Sequence, residues 1–426
     1  MSSLLIKGGH VISPEDQLDG QLDVLVEDGV VRQIAPQISL AAGEILEAGG
    51  KVVSPGFMDL HVHLREPGGE ISETLETGLA AAVAGGFTAV CPMPNTKPII
   101  DRPELVRAMI DKAQRIGLAR VHPIAAVSMG SQGESLTDFR ALAAAGAVAF
   151  TDDGRPVKTA GLLRRALDAA RELNVPLMDH CEDASLSASG VINEGPVSTQ
   201  LKIRAIPGTS EDVCVARDLI VAESVGARLH VCHVSTARSI ELIRLGKRRS
   251  VRVTCEATPH HFTLTDQAVL EYGANAKVNP PLRSAQDVEA VLAGLEDGTI
   301  DAIATDHAPH APELKARPLG SDAPFGVIGL ETALGVALTQ LVHTGKISMW
   351  HLVSLMSTNP ARIINQPYGR LGVGAPADIT IFDPQLEWTY QAAKGRSKSR
   401  NSPFDGWKFK GAVIATLVGG RIVYRR

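Results

Sequence analysis

The sequence predicts an α/β fold: a (β/α)8 TIM barrel with a small β-sandwich-like domain formed by both ends of the chain. Two observations predict this arrangement. Residues 55–367 repeatedly place an apolar, β-branched run before an alanine- and leucine-rich helical pattern. Residues 1–54 and 368–426 instead contain short strand-like runs separated by Gly, Asp and Pro. We therefore expect a composite β domain from the two ends and a barrel between them.

Eight strand–helix units are predicted in the middle of the chain. Such a series is typical of a barrel whose active site lies at the C-terminal ends of the strands. A doubly wound open sheet is the alternative, although no GxGxxG pattern follows the first strand. The expected helices include residues 74–86, 159–174, 210–226 and 285–298. The expected strands are residues 57–62, 87–92, 120–127, 147–151, 175–180, 228–234, 250–256 and 300–305.

Composition argues against several classes of function. Lys and Arg number 42 against 47 for Asp and Glu, and no long basic block appears, so nucleic-acid binding is not expected. The most basic stretch, 394–402, is interpreted as a solvated loop. No apolar run approaches the ~20 residues that a membrane helix needs, and the N-terminus is too polar for a signal peptide. Five cysteines without CxxC spacing complete the prediction of a soluble, cytoplasmic protein with reduced thiols.

The stretch MDLHVHLREPGGE, residues 58–70, places two histidines two residues apart. Side chains at i and i+2 of a strand point to the same side, so His61 and His63 would project together. Further His and Asp residues occur at the ends of other predicted strands, which a barrel brings to one rim. His and Asp are zinc ligands, and a carboxylate can bridge two metal ions. The candidate ligands are His61, His63, Asp153, His180, His233 and Asp306.

Other His and Cys residues are interpreted as ordinary packing or surface residues. A lone histidine near a strand end is more often packed or solvent-facing than a metal ligand. Cys181 and Cys232 adjoin candidate ligands, but neighbouring residues of a strand point to opposite sides. The histidines interpreted in this way are His10, His122, His230, His343 and His351.

A second group of polar residues suits a small anion. Arg65 follows the two histidines, and a guanidinium can bind a carboxylate through two parallel hydrogen bonds. Asn95 and His310, after the second and eighth strands, could complete that cradle. Asn279 is either a turn residue before a Pro-Pro pair or a reader of an amide edge, because it carries both a donor and an acceptor. Arg283 could also meet an anion, but a solvated helix start is the favoured interpretation.

These motifs together resemble the dihydroorotase family, in the bacterial form with an aspartate at the bridging position. The resemblance rests on DLHVHLREPG, CPMPNT, FTDDG, KVNPPLR and DHAPH and extends over essentially the whole chain. More broadly, the chain is similar to the amidohydrolase superfamily of metal-dependent barrel hydrolases. Many members bridge their metals with a carboxylated lysine, whereas this chain has no lysine on the predicted fourth strand. The shorter aspartate leaves open whether one or two zinc ions bind.

The resemblance implies a division of the six candidate ligands between two metal positions. One zinc would be held by His61, His63 and Asp306. A second would be held by His180 and His233, with Asp153 bridging the two. Asp306 would also be the catalytic residue that carries a proton during the reaction.

The resemblance also implies the substrate contacts and the reaction. Arg65, Asn95 and His310 would hold the substrate's carboxylate, and Asn279 would contact its ring. His63 and the backbone of Phe325 and Gly326 would border the pocket. The implied reaction is the reversible cyclisation of N-carbamoyl-L-aspartate to L-dihydroorotate, a step of de novo pyrimidine (UMP) biosynthesis.

Two rival functions stay open. Another cyclic-amide hydrolase, such as a hydantoinase or allantoinase, would share the barrel and the metals but would not need Arg65 and Asn95 for a carboxylate. A catalytically silent scaffold, for instance for aspartate transcarbamoylase, is expected to have broken ligand positions. A homodimer is a further expectation from the resemblance. The segment 311–326 could be a lid over the substrate or an ordinary surface loop.

Overall fold

The computed structural model describes residues 3–40, 43–320 and 322–426. The chain begins with short strands rich in Val, Ile and Leu, which favour extended backbone. Gly and Asp residues form the turns between them. These strands are β1 (Ser3–Ser13), β2 (Leu18–Glu27), β3 (Val30–Ala35), β4 (Glu44–Glu47) and β5 (Val52–Pro55).

The middle of the chain alternates strands with helices. The strands are β6 (Phe57–Val62), β7 (Phe87–Pro92), β8 (Arg120–Val121), β9 (Ile124–Ala125), β10 (Ala149–Phe150), β11 (Leu177–Asp179), β12 (Ile192–Asn193), β13 (Ala205–Ile206), β14 (Leu229–Val231), β15 (Val253–Ala257) and β16 (Ala302–Ile303). The helices are α1 (Leu75–Ala84), α2 (Pro103–Ile116), α3 (Phe139–Ala144), α4 (Ala160–Glu172), α5 (Ala184–Ser187), α6 (Pro196–Leu201), α7 (Thr209–Val225), α8 (Ala237–Arg248), α9 (Ala268–Tyr272), α10 (Ala285–Glu296), α11 (Pro312–Lys315), α12 (Ala333–Ala337), α13 (Met349–Val353) and α14 (Asn359–Ile363).

The strands of the middle region pair in parallel. β6, β7 and β8 are neighbours in one sheet, and β9, β10, β11, β14, β15 and β16 follow one another in a second. β8 and β9 lie in one predicted strand, which is interrupted at His122 and Pro123 because proline lacks the N–H that a ladder requires. The backbone N–H of His63, just after β6, donates to the carbonyl of His307, which follows β16, at 2.8 Å. Both ends of the strand series therefore meet.

The two ends of the chain form one mixed sheet. Its last strands are β17 (Ile379–Thr389), β18 (Lys408–Val418) and β19 (Arg421–Arg425). The strand order is β19-β18-β17-β5-β1-β2-β3, with β4 also paired to β1. β5 runs parallel to β1 and antiparallel to β17, so it joins the N-terminal and C-terminal strands. Strands from the two ends of the chain therefore lie in one sheet.

The structure differs from two sequence-based expectations about charged segments. The segment 394–402 is not a solvated loop, because Ser397, Ser399 and Asn401 are buried. Asn401 donates to the carbonyls of Ala308 and Gly326, both at 3.0 Å, and thereby fixes the loop that follows β16. Arg283 is also buried rather than solvated, and it lies 3.6 Å from the carboxylate of Glu211.

All five cysteines are buried free thiols. Within the described ranges, no helix is long and apolar enough to cross a membrane.

Candidate metal centre and substrate site

The first group of candidate ligands comes from β6 and the loop after β16. His61 lies in β6, and His63 is the first residue after the end of that strand. The two residues are separated by one position, so both side chains project to the same side. Asp306 approaches them from the far end of the strand series. Its Oδ1 lies 3.0 Å from Nε2 of His63 and 3.6 Å from Nε2 of His61. Ligand atoms around one tetrahedral zinc lie about 3.4 Å apart, so these three atoms are spaced for a shared ion.

The second group comes from the loops after β10, β11 and β14. Nδ1 of His180 lies 3.0 Å from Nε2 of His233. Oδ1 of Asp153 lies 3.9 Å from the former and 3.8 Å from the latter. The same Asp153 oxygen is 3.3 Å from Nε2 of His61, and Oδ2 is 3.5 Å from Nε2 of His63. Asp153 therefore lies between the two groups, as expected for a bridging carboxylate.

The buried atoms of this cluster fit a bound cation. Nε2 of His61 and Oδ1 of Asp153 are buried without a hydrogen-bond partner. A buried polar atom without a partner costs roughly 1–3 kcal/mol, and coordination of an ion removes that cost. Burial alone would lower the pKa of His61, but the charges of Asp153 and Asp306 outweigh it and raise that pKa well above its usual value. The two carboxylates thus favour a proton on His61 when no metal is bound, and a bound divalent cation would take the place of that proton.

Three site residues have left-handed backbone conformations. The φ angles are 60° at Arg65, 32° at His233 and 46° at Asp306. Non-glycine residues rarely adopt such angles, and the cost is of order 1–3 kcal/mol for each. In this structure each of the three sharp turns follows a strand and directs its side chain to the same site.

Glu256 and His230 support the first group, and sequence reasoning missed both. Oε1 of Glu256, in β15, lies 2.9 Å from Nδ1 of His61, and its other oxygen lies 3.1 Å from Nε2 of His230. Burial raises the pKa of Glu256, but its bonds to His230 and His61 lower it to about 2. The ionised carboxylate accepts the Nδ1 proton of His61 and leaves Nε2 of that ring free for a metal. A glutamate within the otherwise apolar strand VTCEA was the available signal.

The predicted anion-binding residues lie together beside this cluster. Nη2 of Arg65 lies 3.1 Å from Nε2 of His310, and Nε of Arg65 donates to the carbonyl of Pro309 at 3.0 Å. Burial, followed by the charges of Arg65 and Lys315, lowers the pKa of His310 to about 2, so its ring is neutral. Asn95 contacts two of the candidate metal ligands. Its Oδ1 is 3.0 Å from Nδ1 of His63, and its Nδ2 donates to Asp153 at 3.3 Å.

One cavity of about 320 Å³ joins the ligands to the anion-binding residues. Asn279 lines it, and Nδ2 of Asn279 donates to Glu182 at 2.8 Å. Phe325 and Gly326 form part of the opposite wall. Gly326 has a φ of 127°, and a Cβ there would lie 2.5 Å from that of Ala308, so only glycine allows this close approach. Of the twelve residues named as candidates for the site, His61 alone is absent from the cavity wall, behind which it is fully buried.

Two buried lysines hold the segment 311–326 against the cavity, apart from residue 321, which lies outside the described ranges. Nζ of Lys315 donates to the carbonyls of Pro324 and Gly326 at 3.0 and 2.9 Å. Nζ of Lys277 donates to those of Gly320 and Ala323 at 2.6 and 2.5 Å. These bonds fix the backbone that forms the cavity wall, whereas the lid role of the segment stays a prediction.

The geometry defines a metal-dependent hydrolase centre at the C-terminal ends of parallel strands, and comparison with known proteins agrees with that class. Residues 50–239 match the family model described as "Dihydro-orotase-like", and residues 282–424 match the "Amidohydrolase family" model. The chain is 49% identical to a dihydroorotase from Geobacter sp. (strain M21), with 99% of each chain covered. It is 50% identical to one from Pelobacter propionicus, with 100% of each chain covered. This chain belongs to the dihydroorotase family.

Solved structures of related cyclic-amide hydrolases share the fold. The L-hydantoinase (dihydropyrimidinase) from Arthrobacter aurescens superimposes with a TM-score of 0.90 at 27% identity, covering 100% of this chain and 96% of the hydantoinase. A D-hydantoinase from Thermus sp. gives a TM-score of 0.83 at 25% identity, covering 99% and 95%. The amidohydrolase fold with a mixed β domain is therefore common to these proteins, and the substrate must be inferred from the residues in the cavity.

Proposed function

We propose that this protein is a zinc-dependent dihydroorotase, which interconverts N-carbamoyl-L-aspartate and L-dihydroorotate in de novo pyrimidine biosynthesis. The observation that carries the proposal is the convergence, on one cavity, of two groups of metal-ligand atoms and a half-buried guanidinium. A cyclic amide with a carboxylate substituent meets both requirements. Membership of the dihydroorotase family supports the same substrate.

The proposed metal ligands are those predicted from the sequence. His61, His63 and Asp306 would hold one zinc ion. His180 and His233 would hold a second, with Asp153 shared between them. Bound zinc would supply Lewis-acid chemistry, polarising the ring amide and making water more acidic.

Asp306 is the proposed catalytic residue. Its carboxylate borders the cavity and lies beside His63. In ring opening, water adds to the amide carbon and the bond from that carbon to the ring nitrogen breaks. Asp306 would take a proton from the attacking water and deliver it to the departing nitrogen, acting first as a base and then as an acid. Cyclisation follows the same path in reverse.

Arg65 is the proposed anchor for the substrate's carboxylate. Burial lowers the pKa of Arg65 to about 10, which leaves the guanidinium charged at neutral pH. A half-buried charge that faces a cavity favours an anionic ligand, because the ligand replaces lost hydration. His310 and Asn95 would complete the carboxylate site, and Asn279 would contact the ring. The cavity-facing backbone of Phe325 and Gly326 would border it.

We also propose how the chain is divided into domains, where the enzyme is located and with which proteins it associates. The parallel strands from β6 to β16 would form a closed (β/α)8 barrel, which the bridge between Val62 and His307 supports. Residues 1–54 and 368–426 would form the second, sandwich-like domain, and 55–367 the barrel. A cytoplasmic location is proposed from the composition and the free cysteines. A homodimer and association with aspartate transcarbamoylase are proposed from the family resemblance.

The test is the loss of dihydroorotate absorbance with purified, zinc-loaded protein. We expect absorbance to fall with wild-type protein and to stay constant after chelation and gel filtration. Restored activity on return of zinc would distinguish metal loss from unfolding. Hydantoin and allantoin are the competing substrates. Turnover of either without turnover of dihydroorotate would overturn the proposal, and inactivity towards all three with zinc bound would favour a scaffold.

A further inference from the structure

Glu182 connects a candidate metal ligand to a candidate substrate contact. It lies two residues after His180 in the loop that follows β11. Its Oε2 lies 3.0 Å from Nε2 of His180 and accepts a hydrogen bond from Nδ2 of Asn279 at 2.8 Å. The glutamate and Asn279 are 97 positions apart in sequence, so the contact depends on the folded chain.

The contact with His180 fixes the tautomer of that ring. A carboxylate can only accept, so Nε2 of His180 must carry the proton that faces Glu182. Nδ1 then has a free lone pair, and this is the nitrogen that lies 3.0 Å from Nε2 of His233 and faces Asp153. Carboxylate partners of this kind orient metal-binding histidines and raise their basicity.

The contact with Asn279 fixes the orientation of its amide. The two ends of an asparagine amide differ only in donor and acceptor character, and the neighbours decide which way the amide points. Because Glu182 accepts, the NH2 group of Asn279 must face it. Within the described residues, the polar contacts of Asn279 are made by Nδ2. It donates to Glu182, and it lies 3.3 Å from Nε2 of His180, which carries a proton and therefore accepts no hydrogen bond from it. Oδ1 of Asn279 is therefore the group available to a ligand in the cavity, and it is an acceptor.

We propose that Glu182 is a positioning residue that sets the donor–acceptor pattern of the site: it frees Nδ1 of His180 for the metal and presents Oδ1 of Asn279 to an N–H of the substrate ring. The role of Asn279 towards the substrate (the substrate half of the inference) rests on the proposed function. The role of His180 towards the metal (the metal half) does not. The matching ligand is a cyclic amide or imide whose N–H points to Asn279 when its carboxylate contacts Arg65. An N-alkylated ring would lose this contact.

Three glutamate variants separate positioning from a structural role. Glu182→Gln keeps an oxygen that can accept from both His180 and Asn279. Glu182→Met has similar length and no acceptor of comparable strength. Glu194→Met is the matched control, because Glu194 is exposed in the loop between β12 and α6. Thermal unfolding of the metal-free proteins shows whether each variant folds.

Zinc affinity, measured by competition with a chromophoric chelator, tests the metal half without any turnover. We expect Glu182→Met to weaken zinc binding about 10- to 100-fold, whereas Glu182→Gln and Glu194→Met stay within about threefold of wild type. Equal zinc affinity in folded Glu182→Met and wild type would overturn the role in orienting His180. This result would be informative even if wild type did not open dihydroorotate.

Kinetics at saturating zinc test the substrate half. We expect Glu182→Met to raise KM for dihydroorotate about 3- to 10-fold, the value of one hydrogen bond, and Glu182→Gln to restore most of that loss. In the Asn279→Ala background the further change Glu182→Met should have little effect on KM. If the two changes multiply instead, Glu182 does not act through Asn279. If the wild-type protein did not turn over dihydroorotate, the proposed function would be contradicted. The zinc measurement alone would then decide whether Glu182 orients His180.

Discussion

Two buried networks of histidine and carboxylate lie side by side in this protein, and they differ in whether the protein satisfies them. In the first, the metal-ligand cluster, Nε2 of His61 and Oδ1 of Asp153 have no hydrogen-bond partner. The second begins one residue beyond Asp306. There, Nε2 of His307 lies 3.3 Å from Glu73, and Nδ1 of the same ring accepts from the backbone of Gly329 at 3.1 Å.

The second network is complete without any added group. Glu73 also accepts hydrogen bonds from the hydroxyls of Thr77 and Ser397 and from the backbone N–H of Lys398. Burial raises the pKa of Glu73, but the hydrogen bonds from His307 and the two hydroxyls outweigh it, so the pKa falls below its usual value. A satisfied carboxylate of this kind stabilises the fold, whereas an unsatisfied cluster of His and Asp marks the place of an ion.

The largest effect should follow the loss of the carboxylate at Asp306. Asp306→Asn keeps the size of the side chain but removes the group that carries the proton, so kcat should fall by about 10³-fold or more. The turnover of dihydroorotate measures this loss, and circular dichroism checks that the variant is folded. Turnover close to wild type in a folded, zinc-loaded variant would remove Asp306 from this role.

A change in the satisfied network should affect stability rather than catalysis. Glu73→Gln replaces an anion that accepts several hydrogen bonds with an amide that must turn one NH2 group towards a donor. The free energy of unfolding should fall by about 1–3 kcal/mol, seen as a lower Tm. At a temperature where the variant is folded, kcat should stay within about threefold of wild type. A large loss of kcat with unchanged Tm would show that the two networks are not separate in function.

The anion-binding residues should give a smaller, binding-centred effect. Arg65→Met removes a half-buried cation while keeping most of the side chain's length. Loss of a charged hydrogen bond is worth about 1.5–3 kcal/mol, so KM for dihydroorotate should rise roughly 10- to 150-fold with a smaller change in kcat. For hydantoin, which has no carboxylate, any turnover should be unaffected. An unchanged KM for dihydroorotate would contradict the anchoring role.

Much of the fold was accessible from the sequence because its signals are local. Each of the eight expected strands overlaps a strand in the structure, since apolar β-branched runs between helical patterns depend on neighbouring residues. The strand expected at 120–127 is interrupted because Pro123 cannot donate to a ladder. The expectation for 394–402 was wrong because its charged letters conceal Ser397, which is buried against Glu73, 324 positions earlier.

The candidate site likewise contains some features that have a local sequence signal and others that depend on contacts between distant residues. The proximity of His61 and His63 follows from strand periodicity, and that of the other candidate ligands from the shared end of parallel strands. Glu256 and Glu182 could not be predicted in this way, because their contacts join residues 195 and 97 positions apart and lie behind the ligands. Local patterns thus indicate which residues point to the site, whereas the groups that orient them emerge only from the packing.

His122 provides the smallest test and limits the rule about unpartnered atoms. Its Nε2 is also buried without a hydrogen-bond partner. Yet His122 belongs to none of the candidate metal-binding clusters found among the described residues. Burial, followed by the charge of Arg120, lowers the pKa of His122 to about 4. As pH falls from about 6.5 to 4, the unfolded chain therefore gains a proton here and the folded protein does not, so stability is lost across that range.

His122→Phe should remove this part of the acid sensitivity while keeping a ring against Tyr368, whose ring centre lies 5.6 Å from that of His122. The difference in unfolding free energy between pH 7.5 and pH 5 should shrink by about 2 kcal/mol. Thermal unfolding with chelator present throughout measures it, because titration of the metal ligands is then common to both proteins. An identical shift in Tm for variant and wild type would mean that His122 takes up its proton in the folded state. Burial and the charge of Arg120 would then be insufficient to keep this unpartnered nitrogen neutral.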